Sequence, residues 1–150
     1  MEHLIRQCQE QDLPMVVQLC EKHAHFEQKK FNKETKEQLL KDALFSISSK
    51  LFCYVIEVGK QVVGYFSYTF DFSTWDAKSF LYLDCLYLEP EFRGNRIGEK
   101  VFEILKEIAK HNGCVNIQWQ TPVFNERAIK FYNKIGGVCE KKARFSMDLI

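Results

Sequence analysis

Apolar residues along the chain change their spacing several times, and each change marks an element. LIRQC near the start alternates apolar and polar positions, as a short half-buried strand does. Asp12 then stands where a helix N-cap belongs, ahead of Pro14, Val16, Val17, Leu19 and Cys20 at helical spacing. Pro14 is tolerated in a first turn because its missing N–H would have no intrahelical partner there. The polar segment EKHAHFEQKKFNK, with Phe26 and Phe31 interspersed, reads as a lid or substrate-edge loop. A second helix is expected after Asn32 or Thr35, carrying Leu39, Leu40, Ala43 and Leu44 on one stripe.

The middle of the chain turns to strands. LFCYVIEV and QVVGYFSYTFDF are β-branched and aromatic, and Gly59-Lys60 between them predicts a hairpin. A polar connection containing Trp75 leads to SFLYLDCLYL. Strict alternation puts Phe80, Tyr82, Asp84, Leu86 and Leu88 on one face and Leu81, Leu83, Cys85 and Tyr87 on the other. An acid among such neighbours is expected to be partly sheltered from water. After the bend LEPEFRGNRIG, Ile97, Val101, Ile104, Leu105 and Ile108 form a helical stripe that Asn112-Gly113 closes. CVNIQWQ is the next strand. Asn125 caps a short helix, ERAIKFYNKI, which Gly136-Gly137 ends, and GVCEK and ARFSMDLI are two terminal strand-like runs. The order predicts one α/β (α+β) domain over residues 1–150, a strongly twisted sheet of six to seven strands flanked by about four helices. Its strand–loop–helix–strand crossover should be parallel and right-handed.

Composition narrows the functional classes. An apolar fraction of 46% with 27% charged residues describes a folded globular chain. A net charge of +1 argues against a broad nucleic-acid surface or an anionic membrane partner. No apolar run approaches the roughly 20 residues that span a bilayer. MEHLIRQCQEQDLP lacks an apolar signal core, so no export and a cytoplasmic location are expected. The six cysteines are dispersed without a C-x-x-C pair, which argues against a disulfide framework or a zinc site. Cys85, on a strand, reads as a small core hydrophobe. His23, His25 and His111 have no metal-binding spacing, so no metal is expected, and no Ser/His/Asp order suggests a hydrolase.

The bend at residues 88–98 is where the chemistry concentrates. A strand hands over to a helix whose first-turn N–H groups lack intrahelical partners and whose dipole adds partial positive charge. Gly94 and Gly98 clear the backbone, and Arg93 and Arg96 add cations, a combination that suits a compact anion. A plain helix start with solvated arginines has the same composition. Neither the P-loop pattern nor the dinucleotide fingerprint is present.

RGNRIG after a strand resembles the acetyl-CoA pyrophosphate loop of the GNAT superfamily of N-acetyltransferases, [QR]-x-x-G-x-[GA]. Arg93 and Gly98 match its ends, and Arg96 stands where the middle glycine is usual. NERAIKFYNKIGG is similar to the superfamily's N-x-x-A-x-x-x-Y-x-x-x-G segment through Asn125, Ala128, Tyr132 and Gly136. Within the superfamily, WDAKSFLYLDCLYLEPEFRGNRIG looks most like the spermidine/spermine N-acetyltransferase group with its diamine and thialysine relatives. Trp75 precedes Leu81, Tyr82, Leu83 and Asp84 as in that group, with Asp84 in place of the usual glutamate and Cys85 where a second acid is common.

The resemblance implies an acetyl-CoA-dependent enzyme that acetylates the primary amine of a small molecule by direct transfer, with a homodimer as its common assembly. It implies that Leu86, Tyr87 and Leu88, the bend residues Arg93, Gly94, Asn95, Arg96, Ile97, Gly98 and Glu99, and Asn125, Ala128 and Tyr132 hold the acetyl donor. Asp84 becomes the base and Tyr132 the general acid, although by spacing alone Tyr132 is a core aromatic beside Ala128 and Ile135. Glu27, Trp75, Asp84, Gln118, Trp119 and Gln120 are the candidates for acceptor binding. A protein N-terminus or lysine, an aminoglycoside, or a noncatalytic acetyl-CoA-binding role remain the alternatives.

Overall fold

The computed structural model describes residues 2–150. Two compact units divide the chain, Met1–Gln120 and Thr121–Ile150.

The first unit holds one five-stranded sheet. Its elements in order are β1 (Leu4–Gln7), a 3-10 turn (Glu10–Asp12), α1 (Leu13–Phe26), α2 (Lys36–Phe45), β2 (Phe52–Val58), β3 (Gln61–Ser73), β4 (Lys78–Leu88), a second 3-10 turn (Pro90–Phe92), α3 (Ile97–His111) and β5 (Ile117–Trp119). The strands lie in chain order; each pair is antiparallel except β4–β5, which is parallel. A mixed sheet with helices is therefore found, with five strands where six or seven were expected. Gly59 and Lys60 both have positive φ, as a two-residue type I′ hairpin turn requires.

One core lies between α1 and the sheet, where Leu13, Val16 and Leu19 meet Val55, Tyr65 and Tyr87, with Leu40 and Leu44 of α2 at its margin. Along α3, Ile97, Val101, Phe102, Leu105 and Ala109 are buried, so the apolar stripe read from the sequence is the inward face. Asn112 and left-handed Gly113 end this helix as expected; Cys114 N–H reaches Ala109 O at 2.9 Å.

Three expectations fail for physical reasons. EKHAHF is the last part of α1, not a loop, because half-buried His23 packs its ring on Tyr87 and Tyr65 of the sheet. Asp12 stands at the N-cap position of α1 but makes no side-chain cap there. Its carboxylate accepts the Gln9 N–H at 2.8 Å and two Arg6 hydrogen bonds at 2.7 and 3.0 Å, so it closes the preceding turn instead. Strict alternation in β4 also breaks. Ser67 pairs with Cys85 but Tyr68 pairs with Leu83, which leaves Asp84 as the extra residue of a β-bulge. Directly paired residues share a face. Leu81 and Leu83 therefore lie with Leu86 on the face of Phe66, and Tyr82 lies with Cys85 and Tyr87.

The second unit contains α4 (Glu126–Lys134). Left-handed Gly136 closes it, with Gly137 N–H donating to Tyr132 O at 2.9 Å. Residues 138–150 form no strand, contrary to the reading of GVCEK and ARFSMDLI. Their apolar side chains, Val138, Phe145, Met147, Leu149 and Ile150, are exposed, and a strand without an edge to pair with has nowhere to place its backbone hydrogen bonds.

Candidate active site

β4 has neighbours on both edges only as far as Leu83. Ile117, Gln118 and Trp119 of β5 lie opposite Leu81, Tyr82 and Leu83, and among the described residues no strand continues along that edge. The edge backbone of Leu86, Tyr87 and Leu88 on that side thus has no ladder to join. Gln120, just past β5, donates from Nε2 to Tyr82 Oη at 2.9 Å and ties the closed end of the fork. Gln118 is exposed, while Trp119 is half-buried with its ring 5.0 Å from that of Phe102 on α3. Asp84 sits where the fork opens. The bulge re-aims it, and it is exposed rather than sheltered among Phe80, Tyr82 and Leu86.

The opposite edge of this segment is tightly fixed. Gly64 of β3 pairs with Leu88, and a Cβ built on it would come within 2.7 Å of Tyr87 O and 2.9 Å of Leu88 Cδ1. Only glycine lets the two backbones approach this closely. An isolated glycine inside a strand pattern is the sequence signal for such an approach, and the sequence reading passed over it.

Downstream, the bend becomes the N-terminus of α3. Gly94 has φ +84, and Arg96 is the N-cap residue with φ 62 and ψ 15. An arginine in place of the usual glycine is accommodated without strain if it keeps right-handed helical dihedrals. It takes the left-handed conformation instead, which explains why glycine is usual here. The first helical amide with an intrahelical partner is Lys100 N–H, donating to Arg96 O at 3.3 Å. The preceding N–H groups of Ile97, Gly98 and Glu99 point out of the helix end. A Cβ at Gly94 would meet nothing within 4 Å, so the space over the bend is open. Arg93 is not a solvated cation: its Nε donates to Leu88 O at 2.7 Å and its guanidinium lies 5.5 Å from the Tyr87 ring centroid. Asn95 donates to Phe92 O at 3.2 Å, and the exposed Arg96 pairs with Glu99 at 3.1 Å. A donor set of backbone amides at a helix N-terminus, with an exposed arginine, fits a pyrophosphate.

The sequence reading missed His23. From α1 its ring stacks on Tyr87, with centroids 5.4 Å apart, and meets Tyr65 edge-on. Its Nε2 donates to Glu27 Oε2 at 2.8 Å, since an ionised carboxylate can only accept. In the neutral ring, Nδ1 then accepts the Tyr65 hydroxyl at 3.1 Å. The signal was the His23/Glu27 pair at i and i+4 on one helix face. Burial raises the pKa of the Tyr65 hydroxyl far above its ordinary value. Burial also pushes the Cys85 thiol up to about 12, the Asp84 carboxylate adding to it. Cys85 is therefore a neutral thiol at neutral pH, not a nucleophile.

The remaining residues fall elsewhere. Trp75 is exposed at the tip of the β3–β4 hairpin, with roughly 20 Å of strand between the start of β4 and Asp84. Asn125, Ala128 and Tyr132 belong to the second unit. Asn125 is at the N-cap position of α4, but its side chain donates to Thr121 Oγ1 at 3.1 Å instead of capping the helix. Tyr132 is half-buried beside Phe131, their ring centroids 5.6 Å apart. Among the described residues no three His, Cys, Asp or Glu side chains gather as a metal site, and no helix is long and apolar enough to cross a membrane.

Residues 16–137 match the model of the Acetyltransferase (GNAT) family. The thialysine N-epsilon-acetyltransferase of Bos taurus is 30% identical over 141 residues, covering 89% of this chain and 82% of the relative. That of Mus musculus is 29% identical over 140 residues, with 88% and 82% covered. Among solved structures, a possible acetyltransferase from Clostridium difficile 630 superposes with a TM-score of 0.82 at 21% identity, covering 100% of this chain and 99% of that one. An aminoglycoside N-acetyltransferase in complex with CoA superposes with a TM-score of 0.81 at 14% identity, covering 98% and 95%. At these identities the structural matches establish the fold alone.

Proposed function

The chain belongs to the acetyltransferase (GNAT) family and is an N-acetyltransferase; on that premise we propose that it moves the acetyl group of acetyl-CoA to the primary amine of a small molecule, a diamine, polyamine or thialysine-like acceptor, by direct attack in a ternary complex. The observation that carries this reading is the coincidence at residues 83 and 84. β4 loses its β5 neighbour and bulges there, so an exposed carboxylate stands beside an open strand edge, upstream of an amide-lined helix start.

In this reading the pyrophosphate is held by the amides of residues 94–99 with Arg96. The pantetheine arm lies along Leu86, Tyr87 and Leu88, and a strand N–H there faces the acetyl oxygen. An alkyl ammonium has a pKa of about 10.4, so roughly one acceptor molecule in a thousand or fewer is neutral at pH 7. Asp84 takes that proton, directly or through water. The amine lone pair attacks the thioester carbon, the C–N bond forms, the nitrogen gives its second proton to Asp84 once that group has passed the first to water, and the C–S bond breaks as the oxyanion collapses. The strand N–H stabilises that oxyanion. Tyr132, a phenol whose ordinary pKa is about 10, supplies the proton to the departing thiolate. Asn125 and Ala128 line the donor by family likeness, and Glu27, Gln118, Trp119 and Gln120 are assigned to the acceptor, Glu27 to its second ammonium. Trp75 belongs to the acceptor site only by resemblance. A homodimer is part of the proposal, supported by the exposed apolar side chains of Val138, Phe145, Met147, Leu149 and Ile150; analytical ultracentrifugation tests it.

The deciding experiment is CoA thiol release over diamines, polyamines, thialysine, amino acids, peptides and aminoglycosides. Turnover with a small amine is expected, falling on the order of a hundredfold in Tyr132→Phe. An undiminished rate removes Tyr132 as the acid, and preference for peptides or aminoglycosides overturns the acceptor class.

A further inference from the structure

We propose that His23 is a positioning residue for acceptor selection: it holds the Glu27 carboxylate in one orientation, and through it sets the enzyme's preference for acceptors with a second positive charge. The inference rests on the small-amine reading above and adds to it a residue that acts through another.

The geometry is specific. Glu27 lies just past the last turn of α1, as its C-cap, and a glutamate at such a place ordinarily samples many rotamers. Here it is about 28% exposed and held at 2.8 Å by His23 Nε2, itself about 15% exposed. His23 is fixed in turn from two strands. Tyr65 of β3 fixes Nδ1 at 3.1 Å, and the Tyr87 ring of β4 stacks on the imidazole at 5.4 Å. Tyr87 is braced from beyond by Arg93 over its ring and by Glu89, which Lys22 holds at 2.9 Å. Cys85, on the same face of β4 as Tyr87, donates its thiol to Asp84 Oδ2 at 3.6 Å.

Two features separate this from simple packing. A leucine or phenylalanine would fill the space over Tyr87, but neither presents a donor to a carboxylate and an acceptor to a buried hydroxyl, as the imidazole does. Glu27 also differs from Asp12, Glu57 and Glu89, which each pair with an arginine or lysine, while Glu27 is held by a hydrogen bond from His23. An imidazole in its neutral form orients the carboxylate and leaves its charge available to an incoming ammonium.

The test compares cadaverine with pentylamine, equal in length but carrying two amines or one, by CoA thiol release at saturating acetyl-CoA. In His23→Phe, which keeps an aromatic ring against Tyr87, KM for cadaverine is expected to rise on the order of tenfold, the loss of one hydrogen bond to a charged group. KM for pentylamine and both kcat values should shift far less. Tyr65→Phe should act in the same direction, and His23→Gln, which can still donate to Glu27, should restore part of the preference. Adding Glu27→Gln to His23→Phe should give little further loss, because both act on one interaction. Should His23→Phe fail to fold by circular dichroism, Tyr65→Phe, which removes one oxygen, carries the test. Parallel shifts for both amines, or none, overturn the role of His23 while leaving the acetyltransferase reading intact. A wild-type enzyme that acetylates neither amine overturns this inference, and the small-amine reading falls with it only if the polyamines and thialysine are refused as well.

Discussion

The chain passes from strand to helix twice through the same parts, and the two passages end differently. β1 runs through a 3-10 turn into α1, and β4 runs through a 3-10 turn into α3. At the first junction the protein supplies its own acid. Asp12, about 6% exposed, takes the Gln9 N–H and the Arg6 guanidinium, and Arg6 also holds Glu57 at 2.8 Å. At the second, Glu89 goes to Lys22 and Tyr87, and Glu99 of the first turn pairs with the exposed Arg96, so neither acid is buried as Asp12 is. A junction that carries its own carboxylate is complete as folded. One that presents donors and open space has the chemistry to take something negative from outside.

Breaking the closed junction should have the larger effect. Asp12→Ala leaves Arg6 with Glu57 alone and the Gln9 N–H without its acceptor, and is expected to cost about 3 kcal/mol of stability, read as a lower urea midpoint. In the fraction that remains folded, KM for acetyl-CoA should hardly move. The same pair sets an acid-side slope. Arg6 holds the Asp12 carboxyl below the ordinary carboxylate value, against an opposing push from burial. The folded state thus binds this proton less readily than the unfolded chain does. The stabilisation is complete above the unfolded value of about 3.9 and is lost as pH falls through the lower folded value. Urea midpoints measured from pH 6 down to pH 3 should fall in the wild type and lose this component in Asp12→Ala.

Closing the open junction is the complementary change. Gly98→Asp places a carboxylate in the first turn of α3, where it caps the helix as Asp12 closes its own turn. Stability should hold or rise slightly, while acetyl-CoA affinity falls on the order of a hundredfold, about 3 kcal/mol, through repulsion of the diphosphate. Calorimetric titration reads it. Unchanged affinity would mean that the coenzyme does not use this helix end, and the contrast between the junctions would lose its functional meaning.

This contrast also marks how far the sequence could be read. The α3 stripe, the Gly59-Lys60 turn and the Asn112-Gly113 stop were legible because each depends on residues within one turn of one another. Asp12 was recognised as a polar residue at a helix start, but its partner Arg6 is placed by the β2 strand beside it, where Arg6 also holds Glu57. The bulge at Asp84 depends on the register of β3, so alternation placed Leu81 and Leu83 on the wrong face. His23 was judged as a possible metal ligand in a loop, and its partners Tyr65 and Tyr87 lie on strands 42 and more residues away. The bend at residues 88–98 was legible as a strand-to-helix passage with first-turn donors, because an N-terminal donor array is a local property. The terminal runs GVCEK and ARFSMDLI have strand composition, but no composition provides the neighbouring edge.

The smallest expected effect tests which atoms of the open junction matter. Arg96 is left-handed, and a non-glycine residue there costs about 1 kcal/mol. Arg96→Gly removes that strain but gives the unfolded chain more freedom, about 0.5–1 kcal/mol in the other direction. It also loses an exposed pair with Glu99 that contributes little. The net change should stay within about 1 kcal/mol, or about 3 °C in Tm for a chain of this size. If backbone amides hold the diphosphate, the affinity for acetyl-CoA should drop less than about threefold, because the amide at residue 96 survives and only a solvent-screened charge is lost. Arg96→Ala keeps the strain and removes the same charge, so the two variants together separate backbone from side chain. A tenfold loss in both would make the guanidinium the ligand, and the second junction would then be a cationic site that happens to precede a helix, not the donor-only counterpart of the first.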